Sequence, residues 1–155
     1  MGDLPLHPAV VHLPLGLAFV MPLVAAGIGW AIWTGRVPLR AWILVAVLQC
    51  LLMAAGLFAT NTGQRDEHRM AQVVDQPIID AHEAVGEQFV WGAVLTVGLA
   101  MMVLMSMQRG LQRALMAATL AGTLVVALLG FRVAVSGGRL VYIHHAAATQ
   151  GPPSR

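Results

Sequence analysis

Four long apolar stretches constrain this chain more than any other feature. They run over about 9–33, 41–60, 88–107 and 114–135, and the only charge among them is Arg132, in the last turns of the fourth. Each is close to the roughly 20 residues that a helix needs to cross the hydrocarbon core of a bilayer. Each is continuously apolar rather than alternating, which excludes the strands of a membrane barrel and predicts helices. The expected fold is therefore all-α: an integral membrane four-helix bundle. Four spans use most of the 155 residues, so the chain reads as a single membrane domain with no room for a separate soluble one. Only 10% of the residues are charged, against about 25% in an ordinary soluble domain, and this agrees with a surface turned to lipid.

The connections are unequal. The links at 35–40, with Arg36, Pro38 and Arg40, and at 109–113, with Gly110 between two arginines, read as tight turns. Between spans two and three lies a polar segment, 61–87, carrying Asp66, Glu67, Asp75, Asp80, Glu83 and Glu87. Its part at 65–74 reads as a short surface helix stopped by the Gln76–Pro77 step. After span four, Gly137–Gly138 reads as a break that folds the tail back over the bundle. Pro22 is a candidate kink in span one, and the glycines within the spans suit close helix packing.

An even number of spans puts the N-terminus, segment 61–87 and the C-terminus on one side. Span one has Arg36 and Arg40 after it and no basic residue before it, so the tight turns are expected in the cytoplasm. Trp30, Trp33 and Trp42 mark that boundary like an interfacial belt. The opposite end then faces the periplasm across a bacterial inner membrane. The first apolar run exceeds the length of a signal-peptide core and lacks a basic lead, so it is expected to be retained. No basic run suited to tracking phosphates occurs, which argues against nucleic acid as a partner. The single cysteine, Cys50, rules out an intrachain disulfide and says nothing of redox compartment.

All six histidines, His7, His12, His68, His82, His144 and His145, fall on the side away from the tight turns, with all seven carboxylates. His7 and His12 bracket the mouth of span one, His82 lies just ahead of span three, and His144 follows span four. Imidazoles on facing helices are the usual means by which a bundle holds haem, copper or zinc. Against this, a lone histidine at a helix end more often caps or bonds backbone. His68, among Arg65, Asp66, Glu67 and Arg69, reads as a solvated surface residue.

The opening His7-Pro8-Ala9-Val10-Val11-His12-Leu13-Pro14-Leu15-Gly16-Leu17 resembles the signature of a bacterial family of small four-helix membrane proteins. The family is catalogued as domain of unknown function 2231. The stretch Gly137-Gly138-Arg139-Leu140-Val141-Tyr142-Ile143-His144 is similar to the family's closing motif, and Thr62-Gly63 and His82 also match its pattern. His145 departs from it, where relatives tend to have Gly. Some relatives are joined to Rieske-type or cytochrome-type modules, so the resemblance implies electron transfer, with His7, His12, His82 and His144 as the matching ligand candidates.

Three functions follow as expectations. The first is a b-type cytochrome. His12 with His82 would form one ligand pair and His7 with His144 a second, Phe19 and Phe89 would line the slot, and Arg132 or Arg139 would meet haem propionates. Arg132 snorkelling to the surface, or pairing with Asp80 or Glu83, is an equally good reading. The absence of Cys-x-x-Cys-His excludes covalent haem attachment. The second is a copper or zinc site built from the same histidines with Glu67, Asp80 and Glu83. Met101, Met102, Met105 and Met107 lie at the other end and read as packing or lipid-facing residues. The third is an accessory subunit of a larger redox or membrane complex, as a homo- or hetero-oligomer.

Overall fold

The computed structural model describes residues 10–71 and 74–142, apart from the side chains of 66 and 68–70. Four α-helices make up the described chain: α1 (His12–Trp33), α2 (Trp42–Met70), α3 (Gln76–Met105) and α4 (Arg109–Tyr142). All four are long and apolar enough to cross a membrane. Each packs against its neighbours in sequence, and α4 closes on α1, so α1 and α3 face each other across the diagonal. The protein is a multi-pass four-helix membrane bundle.

The two ends of the bundle differ. At one end the links are short, and the second is formed by 106–108 rather than by the expected turn at 109–113, because Arg109 already opens α4. Gly35 turns the chain with a positive φ of 72°, Thr34 Oγ1 donates to Trp30 O at 2.9 Å, and the Arg36 guanidinium stacks on Trp30 at 4.1 Å. Trp30 and Trp33 are exposed, as a belt requires, but Trp42 is not part of it. Its side chain is fully buried, and Nε1–H donates to Ala100 O at 3.2 Å, so it bolts α2 to α3.

At the histidine end, α2, α3 and α4 run on past the lipid. Their 29, 30 and 34 residues correspond to about 44, 45 and 51 Å, against a hydrocarbon core of about 30 Å. This corrects two sequence expectations. Among the described residues of the polar segment 61–87, 65–70 form no separate surface helix. Instead α2 continues through it to Met70, and Pro77 opens α3 rather than stopping a helix. Proline is tolerated in a first turn, where its missing N–H has no intrahelical partner to lose. Gln76 ties the corner by donating to Glu67 Oε1 at 2.8 Å and Asp80 Oδ1 at 3.0 Å. Nor does Gly137–Gly138 break the chain, because α4 continues to Tyr142. Burial of Leu140 against Val74 and Ile79 holds this extension in place, more than offsetting the modest helix penalty of glycine.

Within the membrane the core is small-residue packing around a few large side chains, among them Met21, Trp42, Leu52 and Phe89. The Phe89 ring reaches both flanking helices. A Cβ on Gly56 would lie 3.2 Å from it and one on Gly130 3.3 Å, and Gly130 also meets Ala18 and Leu15. Gly56, Phe89, Gly130 and the Leu15–Ala18 turn therefore share one height. Leu23, Trp91, Leu95 and Phe19 point outward, as do Met101, Met102, Met105 and Met107, and lipid covers them. Buried Thr96, Thr119 and Thr123 donate back to carbonyls of their own helices. The fully buried Gln49 amide has no hydrogen-bond partner among the described residues.

Candidate functional site

Helix α3 starts at Gln76, six residues ahead of His82, with Pro77 in its first turn, which places that imidazole in the second turn, at the edge of the lipid. The ring is half-buried and turned toward α4, where Nδ1 lies 2.7 Å from Ser136 Oγ. Ser136 Oγ donates its own proton to Val133 O at 3.0 Å. A hydroxyl has one proton, so in the tautomer in which that proton stays donated to Val133 O, Nδ1–H donates to Ser136. In the neutral imidazole the lone pair then resides on Nε2.

Gly137 completes this arrangement. A Cβ there would lie 3.3 Å from His82 Cε1, tighter than ordinary contact, whereas a Cβ on Gly138 would meet nothing within 4 Å. The first glycine of the pair makes room for the imidazole. Sequence reasoning missed Ser136 as a partner and misread Gly137 as a break. The available signal was three small residues in succession, Ser136, Gly137 and Gly138, facing the stretch that carries His82.

His12 is the first residue of α1, exposed, with no side-chain hydrogen bond among the described residues. Counting from the Phe89 level, His82 lies about 10 Å beyond it, Ser136 about 9 Å and His12 about 5–9 Å, all toward the same end. His12 and His82 thus share a height to about one turn, on diagonal helices. The structure gathers His82 with Ser136 and Gly137 but leaves His12 turned outward. His7, His144 and His145 lie outside the described residues, as does the His68 side chain. Among the described residues no cluster of three or more His, Cys, Asp or Glu could hold a metal ion. Of the two phenylalanines expected in a slot, Phe89 is buried in the core and Phe19 faces outward.

The carboxylates converge on the opposite flank of α3, toward α2. Glu83, ahead of the membrane-spanning stretch at 88–107, has its carboxyl held above the ordinary glutamate range. Burial is the main cause, followed by the charges of Glu67, Asp80 and Glu87. Arg132 and Arg139 are exposed on the outside of α4, where with Val85, Phe131, Val135 and Ser136 they line a groove between α3 and α4. They accept no carboxylate partner among the described residues, so the pairing of Arg132 with Asp80 or Glu83 is absent there. Thr62, from the Thr-Gly step, is buried and donates to Ala59 O at 2.8 Å.

These features define a multi-pass membrane bundle with an oriented imidazole at one end. Comparison with protein-family models, with curated proteins and with solved structures finds no match to this chain.

Proposed function

We propose that the chain binds haem b at its histidine end and serves electron transfer in the bacterial inner membrane, that end facing the periplasm. The observation that carries this reading is His82, a half-buried imidazole held through Nδ1 by Ser136 and given room by Gly137. A metal-ligating histidine characteristically donates its other N–H to a neighbouring acceptor, which fixes tautomer and ring direction. His12, at the same height on the diagonal helix, is the candidate second ligand, and His7 and His144 are the candidates for a further pair. Seating an iron between them requires the His12 ring to turn inward from its exposed position. The resemblance of both terminal motifs to the catalogued family supports the same end of the bundle. A bound haem supplies one-electron redox chemistry; the chain's own residues hold and orient it and keep its surroundings apolar. The Arg36 and Arg40 turn supports the stated orientation.

The test is a reduced-minus-oxidised absorbance spectrum of protein purified after expression with ample haem. A b-type band is expected, lost in His82→Ala and His12→Ala and retained in His68→Ala. A flat spectrum with stoichiometric copper or zinc by elemental analysis moves the reading to a metal site on the same imidazoles. A flat spectrum without metal ends it.

A further inference from the structure

The charge-free part of α4 is bounded by Arg113 and Arg132, 19 positions apart, or about 28 Å of helix. That nearly equals the hydrocarbon thickness, so Arg132 stands where acyl chains give way to headgroups at the histidine end. Arg139 lies seven residues farther on, about 10 Å outward, and Ser136 lies between them on the same groove. The headgroup layer is only some 5–8 Å deep on each side of the core, so it falls between the two guanidinium heights. At that level the groove is walled by Val85 and Val135, and below Arg132 the outer face of α4 continues apolar and exposed through Phe131, Leu128 and Leu124.

The charge distribution completes the case. The charges of Glu67, Asp80 and Glu87 act on Glu83, and Gln76 bonds Glu67 of α2 and Asp80 of α3. The arginine side is left without a neutralising carboxylate among the described residues. Two forked donors at the interface with an exposed apolar helix face beneath them match a phosphodiester carrying acyl chains.

The geometry points to a binding site for an anionic phospholipid in the groove between α3 and α4, its headgroup phosphate between Arg132 and Arg139 beside Val85 and Val135, and an acyl chain running inward over Phe131, Leu128 and Leu124. The site adjoins the histidine end through Ser136, which lines the groove and contacts His82, but it uses neither imidazole.

Retention of phosphatidylglycerol against phosphatidylcholine, measured by native mass spectrometry of the protein released from mixed micelles, tests this. At about fivefold per guanidinium near a membrane surface, wild type is expected to prefer phosphatidylglycerol by about 25-fold. R132Q and R139Q each lower the preference about fivefold, and the double variant abolishes it. R109Q/R113Q, at the other end, leaves it unchanged. Val135→Trp, which fills the groove between the two arginines while keeping both charges, weakens retention of both lipids. R132K/R139K keeps the charge should the glutamine variants misfold, and is expected to retain more than half of the preference. A double-variant loss under twofold, or an equal loss in R109Q/R113Q, overturns the site. Release of bound lipid by millimolar inorganic phosphate overturns the lipid assignment in favour of a free-anion site.

Discussion

Replacing Gly137 and Gly138 singly by alanine separates the packing role of the first from the helical setting they share. Both lie in the part of α4 that emerges from the lipid, and both are helical, so each substitution gains about 1 kcal/mol of helix propensity. At Gly138 nothing opposes the gain, since the new methyl meets no atom within 4 Å. At Gly137 the methyl would press on His82 Cε1 at 3.3 Å, so the ring must retreat and strain the 2.7 Å contact with Ser136. A part-buried hydrogen bond is worth about 1 kcal/mol, so the two effects nearly cancel. G138A is therefore expected to be about 1 kcal/mol more stable than wild type and G137A close to neutral. Unfolding by dodecyl sulfate in mixed micelles, followed by circular dichroism, measures the difference. In a His82→Ala background the ring is gone and G137A should recover the full gain, a coupling that a double-mutant cycle isolates. Equal stabilisation by G137A and G138A, with no coupling to His82, would refute the placement of the imidazole against Gly137.

Two further outcomes follow from buried polar groups. Gln49→Leu removes an amide buried without a hydrogen-bond partner among the described residues, and is expected to raise stability by about 1–3 kcal/mol in the same unfolding assay; a loss of stability would mean that the amide is partnered. Because the Glu83 carboxyl is held above the ordinary glutamate range, its contribution to stability is present below that range and lost as pH rises through its folded value. Amides in the first turns of α3 should therefore exchange hydrogen more slowly, relative to the intrinsic rate, on acidification through that window. Glu83→Gln should remove the dependence, and an unchanged pH profile in that variant would locate its origin elsewhere.

The four helices were legible because an uncharged run of about 20 residues has few alternatives to crossing a bilayer. What each residue faces was not, and the reason is physical. Within the membrane both the lipid and the core are apolar, so the periodicity that reveals a buried face in water is missing. Trp42 and Trp33 look alike in the sequence, yet one is sealed in the core and the other exposed. Phe89 and Phe19 differ in the same way.

Beyond the lipid, water restores the distinction. There, buried Ile79 and Leu140 sit beside exposed Asp80 and Arg139, a pattern that argues for continued helix in both α3 and α4. The glycine pair masked it, because glycine was read for its flexibility when Gly137 is used for its lack of a side chain. Two consequences come from that single continuation of α4. It carries Ser136 and Gly137 to His82, orienting the imidazole, and on its outer face it carries Arg132 and Arg139 into the headgroup layer. A chain that turned back at Gly137 would leave His82 without the wall that positions it and Arg139 without its place above Arg132. The straight helix is thus the common requirement of the proposed cofactor end and the proposed lipid groove. A proline at Gly138, which ends the helix there, should disturb both, whereas loss of the arginines alone should spare the histidine end.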